Sequence, residues 1–126
     1  MKPFKRLMFG APLLLAATVA GMPIAAAHSF PQEEAPSAGQ RLSVPPSEVT
    51  IKFDAPIEKV FAKLEVLGAD GHPETIGSPE VGSNALTLSV KVAALKPGDY
   101  TVKWGVVCID SHHTEGSYVF TVAGGG

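Results

Sequence analysis

The sequence predicts an all-β fold, an antiparallel Greek-key β-sandwich or barrel of about seven short strands. Three observations carry this expectation. Apolar and polar residues alternate with a period of two through run after run, the pattern of strands with one face buried. Turn signals separate the runs, and nowhere is the 3.6-residue period of an amphipathic helix sustained.

Taken in order, the chain opens with a segment that does not belong to the fold. Lys2, Lys5 and Arg6 precede an apolar run over 7–20, broken by Gly10 and Pro12 and followed by Ala25-Ala26-Ala27. These are the charged region, apolar region and small-residue cleavage site of a secretory signal peptide, and the run is short for a membrane span. Residues 1–27 are therefore expected to be removed. That leaves 28–126 as one domain with His28 as its first residue.

From 28 to 46, Pro31, Pro36, Pro45 and Pro46 exclude a helix of any length, so this stretch is expected to run extended along the domain. Val49, Ile51 and Phe53 alternate with Thr50 and Lys52, and Ala62, Leu64 and Val66 with Lys63 and Glu65, giving two half-buried strands. Asp70-Gly71 is a turn signal, and the Gly/Pro/Ser/Asn-rich stretch 77–84 reads as a loop. Leu86, Leu88, Val90 and Val92 alternate with Thr87, Ser89 and Lys91 in the clearest strand of the chain. After the turn Lys96-Pro97-Gly98-Asp99, Tyr100, Val102, Trp104 and Val106 form another alternating run, and Tyr118, Phe120 and Val122 a last one.

All 12 acidic residues but only 7 of the 10 basic ones fall within 28–126, a formal charge of −5. A mildly acidic surface argues against a nucleic-acid partner. Cys108 is the single cysteine, so no disulfide forms within the chain, and one modest core must hold the domain by packing.

The chemistry concentrates in 107–118, and within it in Asp110-Ser111-His112. A carboxylate and an imidazole two residues apart converge on one small volume, whether on one strand face or on two arms of a tight turn. Carrying the inward parity of Tyr100, Val102, Trp104 and Val106 forward reaches Cys108, Asp110 and His112, which places the pair at one end of the sandwich. Alone, a D-x-H triplet is common in surface turns. A second copy, Asp70-Gly71-His72, has its own backbone explanation as a hairpin turn.

His28 changes that reading. An N-terminal histidine offers one metal both its ring nitrogen and its free α-amino group, whose ordinary pKa of ~7.7–8.0 lets a strongly bound metal displace the proton. With His112 and Asp110 the set is three nitrogens and one oxygen. In a tetragonal plane such donors favour Cu(II), one ion per chain, although zinc tolerates the same ligands. Cys108, at inward parity, reads as a small buried hydrophobe, with a thiolate ligand as the sharper alternative. His113 points away from His112 if strand geometry persists. Thr114 and Glu115 are candidates to orient a ligand ring.

The N-terminal His28, the Pro-rich start, the run Leu95-Lys96-Pro97-Gly98-Asp99-Tyr100-Thr101-Val102-Lys103-Trp104, then Val106-Val107 and Asp110-Ser111-His112 closed by Gly116-Ser117-Tyr118-Val119-Phe120-Thr121-Val122 together resemble the CopC copper-resistance family. The resemblance covers nearly all of 28–126. It implies a cupredoxin-like, Ig-like Greek-key β-barrel of the periplasm that binds Cu(II) through the amine and imidazole of its first residue and the Asp and His of the D-x-H motif. Those ligands are His28, Asp110 and His112. It also implies a CopD-like inner-membrane copper transporter as partner. The chain departs from the family pattern in places. Met1, Met8 and Met22 all precede residue 28, so a thioether Cu(I) site is not expected. Ala55 stands where some members carry Glu, leaving Asp54 and Glu58 as outer-shell candidates. Cys108 stands where Ser is expected, and His113 follows the motif histidine.

The leading expectation is thus a periplasmic Cu(II)-binding protein that captures, buffers or delivers copper, and not an enzyme. One alternative is a copper oxygenase built on a terminal-His chelate, which needs an open coordination position and a flat surface of exposed aromatics. The other is a structural adhesion module in which His28 and the D-x-H pair are incidental.

Overall fold

The computed structural model describes residues 29–124, so the expected signal peptide and His28 lie outside the described residues. The described residues form eight strands, five of them from the alternating runs: β1 (Pro31–Ala35), β2 (Arg41–Leu42), β3 (Glu48–Phe53), β4 (Lys63–Leu67), β5 (Thr75–Val81), β6 (Thr87–Val92), β7 (Gly98–Val107) and β8 (His113–Val122). They form two four-stranded sheets, ordered β1-β3-β6-β5 and β2-β8-β7-β4. Neighbours within a sheet are mostly non-consecutive in the chain, so connections cross between sheets as in a Greek-key sandwich. The pairings are antiparallel except for β2, which lies parallel to β8.

The apolar residues of each alternating run meet between the sheets. Val49, Ile51 and Phe53 of β3 face Val66, Val102, Val106 and Phe120 across the core, all fully buried. Burying each such side chain contributes roughly 1.5–3 kcal/mol. Trp104 packs edge-on against Phe53, with ring centroids 5.4 Å apart and planes at 71°. The indole has room because its register partner on β8 is Gly116. A Cβ at that position would lie 2.8 Å from the ring.

One expectation is corrected. The stretch 77–84, read as a loop, begins inside the edge strand β5. Gly77 has φ +74, and the register with β6 shifts between Ile76 and Glu80. A bulge on an edge strand absorbs Gly and Pro because one side of it needs no ladder partner.

The site is placed by the β7–β8 hairpin. Its ladder runs from Gly98↔Val122 to Val107↔His113, and Cys108 forms a bridge to Ile57. Inward parity continues as far as Cys108, which is 1% exposed. Beyond it the chain turns, so Asp110 and His112 are exposed turn residues rather than inward-facing strand residues.

Candidate metal centre

Asp110 and Ser111 lie in a three-residue hairpin loop, 109–111, which the pairing of Cys108 with His112 closes. The Ser111 N–H donates to the Cys108 carbonyl at 2.8 Å, and the Cys108 N–H donates to the His112 carbonyl at 2.7 Å. Ser111 takes φ +78, the left-handed conformation that commonly ends a hairpin loop of this length. For a residue with a Cβ this conformation costs on the order of 1–2 kcal/mol. The turn brings the two side chains together: His112 Nδ1 is 3.1 Å from Asp110 Oδ2, and the His112 N–H donates to Asp110 Oδ1 at 3.2 Å.

Asp70 and His72 repeat this geometry almost atom for atom. His72 Nδ1 is 2.9 Å from Asp70 Oδ2, and the His72 N–H donates to Asp70 Oδ1 at 3.0 Å. The His72 backbone bond, and then its side chain, hold the Asp70 carboxyl below its usual range. Internal geometry therefore does not distinguish the two copies. Their surroundings do.

Ser29 lies against the Asp110–His112 turn and is fully buried. Its N–H donates to Cys108 Sγ at 2.7 Å, its hydroxyl to the Pro56 carbonyl at 3.1 Å, and its carbonyl accepts from Thr114 Oγ1 at 2.9 Å. Phe30 extends the attachment: its N–H donates to Asp54 Oδ1 at 2.9 Å, and its carbonyl accepts the Asp54 N–H at 3.0 Å. The residue that follows His28 in sequence is thus fixed two residues before Asp110 and two after His112. Nothing local in the sequence marks Ser29, because its partners Cys108 and Thr114 lie 79 and 85 positions away.

The other residues near the motif fall into place around this seat. Thr114 holds Ser29 and not a histidine ring. Glu115 is 3.9 Å from His113 Nε2, and both are exposed on the outer face of the sheet. Asp54 serves the N-terminal arm, while the Glu58 N–H donates to the Val107 carbonyl. Among the described residues no group of three or more His, Cys, Asp and Glu is assembled for a metal. The turn supplies one nitrogen donor and one oxygen donor.

A two-sheet Greek-key sandwich carrying a D-x-H hairpin beside a seated N-terminal arm defines the class. The CopC domain family model matches residues 32–123, and the chain belongs to the CopC family. Protein YobA of Escherichia coli (strain K12) is 32% identical over 98 residues, covering 76% of this chain and 79% of that protein. Copper transport protein CutJ of Bacillus subtilis (strain 168) is 28% identical over 98 residues, which are 76% of this chain but 18% of CutJ. The crystal structure of CopC from Methylosinus trichosporium OB3b superposes with a TM-score of 0.72 at 28% identity, covering 77% of this chain and 95% of that one. PcoC, a methionine rich copper resistance protein from Escherichia coli, shares the fold with a TM-score of 0.65 at 23% identity, over 75% of this chain and 98% of its own.

Proposed function

We propose that residues 1–27 are removed on export to the periplasm and that residues 28–126 bind one Cu(II) per chain, to capture, buffer or deliver copper. The ligands are the terminal amine and ring of His28, the ring of His112 and the carboxylate of Asp110. The seat of Ser29 carries this reading. Consecutive Cα atoms are ~3.8 Å apart, so a chelate on residue 28 starts one residue from a point tied to both Cys108 and Thr114. Two donors from the turn and two from the terminus complete a nitrogen-rich tetragonal set suited to Cu(II).

The remaining chemistry agrees. Residues 28–126 contain no methionine, so a soft Cu(I) site is not available. The Cys108 sulfur is buried and accepts the Ser29 N–H, which argues against a thiolate ligand. Phe53, Tyr100, Trp104, Tyr118 and Phe120 are in the core, leaving Phe30 and Phe61 exposed. Such a surface lacks the aromatic platform of a polysaccharide oxygenase, and Asp110 takes the position a catalyst would leave open. Delivery to a CopD-like membrane transporter is favoured by CutJ, a copper transport protein in which the matching segment is a small part of a much longer chain.

Titrating the secreted protein with Cu(II) and following it by EPR tests the reading. One tetragonal, nitrogen-rich ion per chain is expected, with no sustained oxygen consumption when ascorbate is added. Steady turnover of ascorbate and oxygen on a polysaccharide would contradict the carrier role.

A further inference from the structure

We infer that Thr114 and Cys108 are positioning residues for the proposed terminal chelate: by seating Ser29 they fix, beside the Asp110–His112 turn, the point from which that chelate would start. The inference rests on the proposed role of His28 and adds what makes that role effective.

Chain ends are ordinarily among the least ordered parts of a domain. A chelate on a loose end must be ordered at the moment of metal capture, and that cost subtracts from affinity. Here the residue after the chelate has its N–H, hydroxyl and carbonyl all engaged, and it is the one fully buried polar residue among those described. Phe30 is clasped to Asp54 from both of its backbone groups. All of this attachment lies ahead of β1, which begins at Pro31.

The seat and the motif also belong to one rigid hairpin. Cys108 uses its backbone to close the D-x-H turn, through its N–H to His112 and its carbonyl to Ser111, and its sulfur to hold Ser29. Thr114, on the first turn-proximal stretch of β8, uses its hydroxyl for the same purpose. Ser29 and the Asp110–His112 turn are therefore fixed to the same residues of one hairpin.

A two-by-two comparison tests this. Thr114→Val removes the hydroxyl with little change of shape, and one extra residue before His28 removes the terminal chelate. Cu(II) affinity is measured by competition in all four proteins, with thermal unfolding as the check on folding. Thr114→Val is expected to weaken binding about ten-fold in the chain that begins at His28 and to have no effect in the extended chain. Thr114→Ser should restore it. Cys108→Ala, read in the same way, reports on the seat should the valine variant fail to fold. Unchanged affinity in a folded Thr114→Val protein would overturn the inference. So would an equal loss in both backgrounds, which would mean that Thr114 acts on the turn alone. If the extension leaves wild-type binding unchanged, the His28 reading itself fails, a result separable from failure of the seat.

Discussion

The hydroxyl of Thr114 donates to the carbonyl of Ser29 at 2.9 Å, joining residues 85 positions apart. This contact separates two D-x-H turns that are otherwise alike. Asp110–His112 has Ser29 seated beside it, whereas Asp70–His72 is an exposed turn between β4 and β5.

That difference makes paired histidine substitutions informative. His112→Ala is expected to lower Cu(II) affinity by at least about 100-fold, beyond the ~10–100-fold that loss of an outer-shell partner costs. His72→Ala should leave affinity unchanged. Equal effects in a competition titration would assign copper to the motif geometry and not to the seat.

Gly116 is a packing requirement and not a source of flexibility. A Cβ there meets the Trp104 indole at 2.8 Å, and the indole is wedged against Phe53. Gly116→Ala is expected to destabilise the fold by roughly 1–3 kcal/mol, visible as a lower urea midpoint. An unchanged midpoint would mean the ring shifts freely.

Tyr118 presents the opposite case. Among the described residues its hydroxyl is a buried side-chain oxygen without a hydrogen-bond partner, and burial, with Glu34 adding to it, pushes the phenol well above its ordinary pKa. Removing an unsatisfied buried group relieves its desolvation cost. Tyr118→Phe should leave stability unchanged or raise it by up to roughly 1 kcal/mol. A clear loss in denaturant unfolding would show that the hydroxyl is bonded in solution.

Glu34 gives the fold a pH dependence of known sign. Burial raises its carboxyl above the ordinary 4.5, opposed by a hydrogen bond from the Ala38 backbone. A folded pKa above the unfolded one means that the folded state binds the proton more tightly. This contribution is full below the unfolded value and is lost as pH rises through the folded value. Glu34→Gln should therefore flatten the fall in melting temperature between about pH 4 and neutrality. An identical slope in the variant would remove Glu34 as its source.

How far the sequence alone reaches depends on how local each signal is. The alternation in β3, β6 and β7 is local and strong, because both sheets bury one face. β5 is masked by Gly77 and Pro79, which an edge strand with a bulge tolerates. The D-x-H motif is legible as a pair, but strand parity misplaces it. Parity survives only to Cys108, where the left-handed Ser111 turns the chain. Ser29 is silent in the sequence, since its partners lie 79 and 85 positions away, and Thr114, legible as a candidate to orient a ligand ring, carries no local sign that it holds Ser29 instead.

The proposed copper site joins a terminal chelate at His28 to Asp110 and His112. Its most direct test is the intact mass of the secreted protein together with Cu(II) EPR of that protein and of one carrying an extra residue before His28. The expected result is a chain beginning at His28, with one nitrogen-rich tetragonal Cu(II) whose signal is lost or remade on extension. A chain beginning elsewhere, or a signal indifferent to the extension, would contradict it.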